Sequence, residues 1–170
     1  MTVDKIITLH GKPVTLVGKQ LKVGTLVPDF AVLDTDLKPV TRAAFDGKIS
    51  IICSVPSLDT PVCDVEMRRF NQEAVKLGPR VHIAVISMDL PFAQKRWCGA
   101  AGVANVQALS DHRDASFGQA FGVLVKEVRL LARAVFVIDS ASTLRYVEVV
   151  PEITHEPDYA AALQALKGMP

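Results

Sequence analysis

Three cysteines are the residues of this chain best suited to redox or nucleophilic chemistry: Cys53, Cys63 and Cys98. An odd count is atypical of a secreted disulfide framework and indicates reduced thiols with at most one functional pair. No two of them have the Cys-x-x-Cys spacing of dithiol oxidoreductases. The four histidines are scattered without metal-ligand spacing, so the sequence predicts no zinc site.

Cys63 lies where a helix is expected to begin. Thr60 and Pro61 are helix-start signals, as N-cap and first helical residue, and they make Cys63 the third residue of that helix. Unpaired backbone N–H groups and the positive end of the helix dipole favour a thiolate there, and such positions lower a cysteine pKa from about 8.5. Alternatively, Cys63 is a small apolar residue packed under the helix. Position alone leaves both interpretations open.

The sequence around Cys63 resembles a known family. Residues 56–63 read Pro-Ser-Leu-Asp-Thr-Pro-Val-Cys, the Pro-x-x-x-Thr-x-x-Cys pattern of peroxiredoxins. Residues 87–98, SMDLPFAQKRWC, closely resemble the signature of the thiol peroxidase subfamily, the bacterial atypical two-cysteine peroxiredoxins. Residues 130–139 and 151–159 resemble it too, and residues 24–30 look like the entry to a peroxiredoxin domain. The resemblance covers nearly the whole chain.

This resemblance implies a role for five residues. Cys63 is the peroxidatic cysteine and Cys98 the resolving cysteine, and the two form an intramolecular disulfide. Thr60 directs its hydroxyl at the bound peroxide, Pro56 shields the sulfur from bulk water, and Arg133 pairs with the thiolate and the peroxide. In purely structural roles, Thr60 would be a helix cap, Cys98 a buried thiol on an amphipathic helix and Arg133 a surface residue at a strand edge.

Disulfide formation is expected to require movement. Cys98 lies 35 residues after Cys63 and on a different helix, whereas a disulfide needs Cα atoms roughly 4.4–6.8 Å apart. We therefore expect the first turn around Cys63 and the short helix carrying Cys98 to unwind partly. Pro61, Pro91 and Gly99 are expected to keep the ends of these helices marginally stable.

Hydrophobic periodicity predicts the elements that position these residues. Strands are predicted over 30–33, 49–55, 81–87, 106–109, 134–139 and 144–150, helices over 41–45, 61–77, 91–97, 114–121 and from 157, and an N-terminal hairpin over about 3–17. The helix after Pro91 is expected to end near Gly99. Cys53 lies inside an apolar strand, so we assign it to the core. Glu66 falls on the polar face of its helix. Phe92 and Met88 are expected to pack in the core; the alternative is that they line the peroxide pocket or a partner surface.

The alternation of strands and helices predicts an α/β fold with helices on both faces of the sheet. The resemblance implies that this is the thioredoxin-like three-layer fold, with a mixed central sheet, an N-terminal hairpin and a single domain over residues 1–170. The chain has 170 residues, which is an ordinary size for one domain.

Composition excludes several other classes of protein. Nineteen Lys and Arg against eighteen Asp and Glu give a net charge of +1, which is atypical of a nucleic-acid-binding protein. No apolar run approaches the roughly 18 residues of a membrane span. The N-terminus lacks the features of a signal peptide, so we expect a cytoplasmic protein without membrane association.

The function implied by the resemblance is that of a thiol-dependent peroxidase. It would reduce hydrogen peroxide and organic hydroperoxides, be recycled by thioredoxin or a similar dithiol protein, need no metal or organic cofactor, and form a homodimer. Two rivals are a thiol–disulfide oxidoreductase and a non-catalytic redox-sensing or binding module. The first is disfavoured because Cys-x-x-Cys is missing. The second is disfavoured because Pro56, Thr60, Cys63 and Arg133 are all present.

Overall fold

The computed structural model describes residues 6–169. Its strands are β1 (Ile7–Leu9), β2 (Lys12–Val14), β3 (Leu16–Val17), β4 (Ala31–Leu33), β5 (Pro39–Thr41), β6 (Ile49–Ser54), β7 (Val81–Ser87), β8 (Gln107–Ser110), β9 (Leu124–Val125), β10 (Leu130–Leu131), β11 (Ala134–Ile138) and β12 (Leu144–Val149). Its α-helices are α1 (Pro61–Leu77), α2 (Pro91–Ala101), α3 (Ser116–Ala120) and α4 (Tyr159–Gln164), and short 3-10 helices cover Arg42–Phe45 and Gly78–Arg80. No helix within residues 6–169 is long and apolar enough to cross a membrane.

A mixed sheet of seven strands forms the centre of the protein, in the order β12-β11-β6-β7-β8-β4-β5. The strands β6, β7 and β8 run parallel, as β-α-β connections require. The strand β11 is antiparallel to both β6 and β12. Its register pairs Ala134 with Ser54, so the residue before β11 lies beside the carboxyl end of β6, where the connection to α1 begins.

The central strands are covered on both faces, because successive side chains of a strand point to opposite sides. Ile51 and Cys53 of β6 belong to a buried cluster that includes residues of α1 and α4, with α2 packed against it. Ile52 belongs to a second cluster, with Phe117 of α3 and Phe121. The predicted arrangement of helices on both faces is therefore confirmed.

The N-terminal hairpin is shorter than predicted. Strands β1 and β2 pair around a turn at His10 and Gly11, both of which have positive φ. Leu16 and Val17, predicted as the end of the second arm, instead form β3 and pair with β9. The chain leaves the hairpin at Thr15, whose backbone N–H donates to the Glu127 carboxylate at 3.0 Å. Residues 3–5 of the predicted hairpin lie outside the described residues.

Capping explains where two helices differ from the prediction. The helix α2 continues past Gly99 to Ala101, because Gly102 takes the left-handed conformation that ends a helix and its N–H bonds to the Cys98 carbonyl. Gly99 therefore lies within the last turn of the helix, and the marginal stability expected of that end stays a prediction. The helix α4 begins at Tyr159 and not at Pro157, since the Asp158 side chain accepts the N–H of Ala161 as an N-cap.

Candidate active site

Cys63 lies in the first turn of α1, directly after the loop that connects β6 to this helix, as the sequence predicts. Thr60 is the N-cap in an extended conformation, and its Oγ1 accepts the Cys63 N–H at 3.4 Å. Pro61 is the first helical residue, where a missing N–H costs nothing. The Cys63 side chain is 0% exposed. The sulfur therefore faces the interior at the start of the helix.

The connection before the helix is held by Thr60. Its hydroxyl donates to the carbonyl of Ser57 at 3.0 Å, while the same oxygen accepts from Cys63. Pro56, two residues after the end of β6 at Ser54, is buried. Thr60 is therefore a helix cap in this structure, and it lies within one helical turn of Cys63, the predicted peroxidatic cysteine.

Arg133 brings a positive charge to the sulfur of Cys63. Its Nη1 donates to the Cys63 Sγ at 3.3 Å, and its Nε donates to the carbonyl of Ile153 at 2.9 Å. The side chain is 1% exposed, so Arg133 is not a surface residue at a strand edge. It occupies the position before β11 that the antiparallel register sets beside the end of β6.

Glu66 departs from its predicted position on the polar face of α1. It is 0% exposed, and its Oε2 lies 2.5 Å from Arg133 Nη1. A signal was available in the sequence. Glu66 follows Cys63 by three residues, so the two share one face of the helix, and a cation aimed at the sulfur can reach both.

Burial affects the pKa values of the two partners in this ion pair differently. Burial raises the pKa of Glu66 to about 7, against the lowering effect of Arg133. Glu66 Oε1 finds no hydrogen-bond donor among residues 6–169, which adds to the cost of its charged form. Burial alone would lower the pKa of Arg133, but the charges of Glu66 and Cys63 outweigh it and raise that pKa. The guanidinium is thus a permanent cation.

Cys98 lies on α2, packed against the buried cluster that contains Cys63. It is half-buried, and burial raises the pKa of its thiol. Both Cys63 and Cys98 are free thiols in this structure. The structure brings the two helices against one cluster, and the partial unwinding expected for disulfide formation stays a prediction.

Cys53 lies in the core, as predicted. It is 0% exposed and lies between Val85 and Val135 of the neighbouring strands. Burial raises the pKa of its thiol well above the ordinary value, the charge of Glu66 raises it further, and Arg133 opposes both. The thiol is therefore protonated and enclosed, which makes it chemically inert.

Phe92 departs from the prediction of a core residue. Its side chain is 67% exposed on the first turn of α2. The helix turns its buried face inward through Pro91 and Gln94 instead, because residues at i and i+3 lie on one face and Phe92 lies beside it.

Comparisons with known proteins agree with this fold. The pattern of the Redoxin family matches residues 22–163. Thiol peroxidase of Bacillus subtilis (strain 168) is 54% identical over 163 residues, covering 96% of this chain and 97% of the relative. Thiol peroxidase of Staphylococcus aureus (strain MRSA252) is 53% identical over 163 residues, covering 96% and 98%.

Solved structures give the same result. A peroxiredoxin-like protein from Aquifex aeolicus superposes with a TM-score of 0.87 at 42% identity, over 95% of each chain. A thiol peroxidase from Chromobacterium violaceum has a TM-score of 0.86 over 96% of each chain; at 21% identity this shows similarity of fold alone. The chain belongs to the redoxin family and, within that family, to the thiol peroxidases. The predicted family, the thioredoxin-like fold and the activity class of thiol-dependent peroxidase are confirmed.

Proposed function

We propose that Cys63 is the nucleophile that reduces a hydroperoxide. The Cys63 thiolate attacks the terminal peroxide oxygen, an S–O bond forms, and the O–O bond breaks. The terminal OH stays on the sulfur, so Cys63 becomes a sulfenic acid, and the departing oxygen takes up a proton from solvent and leaves as water or an alcohol. The observation that carries this proposal is the hydrogen bond of 3.3 Å from Arg133 Nη1 to the buried Cys63 sulfur, next to the helix cap Thr60.

The other residues of the site support the same step. Arg133 is a fixed cation with several N–H donors, so it can stabilise negative charge on the sulfur and on the departing oxygen. The Thr60 hydroxyl is positioned by the loop and can turn toward a bound peroxide oxygen. Pro56 limits the access of water, because it is buried and offers no N–H group.

We propose that Cys98 resolves the sulfenic acid. Its thiol attacks the Cys63 sulfur, an intramolecular S–S bond forms, and water leaves. A raised pKa suits this role, since a protonated Cys98 does not compete for peroxide. An external dithiol protein such as thioredoxin then reduces the disulfide by exchange. We further propose that the protein is a cytoplasmic homodimer with one domain in each chain.

The test is the intact mass of the fully reduced protein before and after one equivalent of hydrogen peroxide. We expect the loss of two hydrogens in the wild type and the gain of one oxygen in Cys98→Ser. A Cys63→Ser variant should show no rapid change. No mass change in the wild type would contradict the peroxidase proposal and favour a binding module. A covalent dimer would retain the peroxidase but contradict the disulfide within one chain.

A further inference from the structure

One carboxylate connects the loop before Cys63 to the helix that carries Cys98. Asp89 Oδ1 accepts the hydroxyl of Ser57 at 2.7 Å. Its Oδ2 accepts the backbone N–H of Leu58 at 2.8 Å and the hydroxyl of Ser87 at 2.7 Å. Hydrogen bonds to an ionised acceptor are shorter and stronger than neutral ones. Asp89 therefore holds three groups from two parts of the chain.

The hydrogen bonds of Asp89 connect two segments that carry the proposed reactive cysteines. Ser57 and Leu58 lie between Pro56 and Thr60, in the loop that leads into the first turn of α1. Asp89 follows β7 and precedes α2, which begins at Pro91. A single side chain thus fastens the segment that holds the proposed nucleophile to the start of the helix that holds the proposed resolving thiol.

The backbone around Asp89 is itself well fixed. The hydroxyl of Ser110 donates to the Asp89 carbonyl at 2.5 Å. Gln94, one turn into α2, donates from Nε2 to the Leu109 carbonyl at 2.8 Å and to Ser87 Oγ at 3.0 Å. Since β7 and β8 hold Asp89 in place, the loop of Ser57 and Leu58 is the partner that can detach.

We propose that Asp89 is a positioning residue that controls the exchange between the two steps of the reaction. This inference rests on the proposed function of Cys63 and Cys98. With Asp89 bound to Ser57 and Leu58, the loop and the first turn of α1 are ordered for attack on peroxide. The unwinding predicted for disulfide formation moves that turn relative to α2, and in that movement these hydrogen bonds break. Asp89 therefore favours peroxide attack and slows resolution.

The experiment measures the two steps separately by quenched-flow mass spectrometry on the reduced, full-length protein with hydrogen peroxide. In Asp89→Ala we expect disulfide formation to accelerate about tenfold and sulfenic acid formation to slow several-fold, since one tenfold change corresponds to about 1.4 kcal/mol. In Asp89→Asn, which keeps an acceptor and the shape of the side chain, both shifts should be smaller, about threefold or less.

The matched control is Asp36→Asn. Asp36 pairs with Lys95 on α2 at 2.9 Å, at an exposed site away from the loop, so this variant removes a charged contact of the same helix without touching Ser57 or Leu58. It should leave both rates unchanged. Hydrogen exchange supplies a second measurement. Amides of residues 57–64 should exchange faster in Asp89→Ala, while those of β7 keep their protection.

Opposite changes in the two rates would support the proposal, because a general loss of stability would not accelerate one step while slowing the other. Unchanged rates in Asp89→Ala, a parallel loss in both steps, or the same effect in Asp36→Asn would overturn it. If the wild type formed no sulfenic acid and no disulfide, the proposed function would fail, and this inference with it. A normal wild type beside unaffected variants would overturn the role of Asp89 alone.

Discussion

Glu66 and Arg133 form an ion pair that is sealed inside the protein. Arg133 Nη1 lies 2.5 Å from Glu66 Oε2 and 3.3 Å from Cys63 Sγ, and both charged side chains are at most 1% exposed. Enclosed charges of this kind persist only when they are paired and hydrogen-bonded. The carboxylate therefore fixes the guanidinium, while the same Nη1 remains directed at the sulfur.

The first prediction concerns the geometry of Arg133. Its guanidinium donates hydrogen bonds to Ile153, Glu66 and Cys63 at the same time. A lysine ammonium on a flexible side chain cannot reproduce this arrangement. We expect Arg133→Lys to lower the second-order rate constant for hydrogen peroxide by about 100-fold, the effect typical of losing one donor that stabilises a developing charge. Stopped-flow kinetics gives this constant, and circular dichroism verifies the fold. A rate within threefold of wild type would argue against the role.

A second prediction separates the charge of Glu66 from its shape. Glu66→Gln keeps an oxygen that can accept from Arg133, whereas Glu66→Ala leaves a buried arginine unpaired. We expect the peroxide rate constant to stay within about threefold in Glu66→Gln and to fall tenfold or more in Glu66→Ala, because the loss of the acceptor leaves a buried guanidinium N–H group unsatisfied and the guanidinium rearranges. Equal losses in the two variants would mean that Glu66 acts by its charge and not by holding Arg133.

A third prediction follows from the raised pKa of Glu66. In the folded protein this pKa is about 7, against an ordinary 4.5. Between these two pH values Glu66 keeps its proton in the folded protein and loses it in the unfolded chain. The resulting stabilisation is fully present below the ordinary pKa and is lost as the pH rises through the folded one. Between about pH 5 and about pH 8 the unfolding free energy of wild type, relative to Glu66→Gln, should fall by roughly 2 kcal/mol. Urea denaturation at both pH values measures it, and a flat difference would contradict the shift.

Much of this site was predictable, because local signals set it. Thr60 and Pro61 fix the start of α1, and that start places Cys63 in the first turn. Residues 49–54 form a strand because a β-rich apolar run suits a central position covered on both faces. These effects act over a few residues, so the sequence carries them directly.

The rest depends on contacts across long separations. A helical pattern places Glu66 on the solvated face. Its spacing from Cys63 hints otherwise, but the register of β11 against β6 is what brings Arg133 over it. Asp89 gives no local signal either, since its partners Ser57 and Leu58 are distant in sequence. The two-residue strands β3 and β9 are too short for a period to appear, and each is defined only by its pairing.

A fourth prediction concerns the remaining cysteine. Cys53 is enclosed by strands, so Cys53→Ala should leave peroxide turnover within about twofold of wild type and lower the unfolding free energy by about 1 kcal/mol through lost packing. Cys53→Ser should cost more stability, since it buries a hydroxyl next to apolar neighbours. Turnover assays and urea denaturation test both variants. Loss of activity in a folded Cys53→Ala protein would contradict the assignment to the core.

The final prediction links the N-terminal hairpin to the active site through Glu152. Its carboxylate accepts the N–H groups of His10 and Gly11 at 2.9 and 3.0 Å and the hydroxyl of Thr8. The next residue, Ile153, supplies the carbonyl that holds Arg133. We expect Glu152→Gln to increase hydrogen exchange in the hairpin and to slow the reaction with peroxide by about threefold, because neutral acceptors form weaker hydrogen bonds than carboxylates.

The hydrogen bonds from Thr8 and Thr154 lower the pKa of Glu152. The stabilisation that the Glu152 carboxylate gives the folded hairpin is therefore present above the ordinary carboxyl pKa. It is lost only when the pH falls through the lowered pKa of Glu152 in the folded protein. Hairpin protection in the wild type should persist into mildly acidic solution. Glu127→Gln is the matched control, since Glu127 accepts the Thr15 N–H at the other end of the hairpin without contacting the segment around Ile153. It should loosen the strand pairing of β3 but leave the peroxide rate unchanged. A slower reaction in Glu127→Gln equal to that in Glu152→Gln would mean that the hairpin stabilises the whole protein and does not act through Arg133.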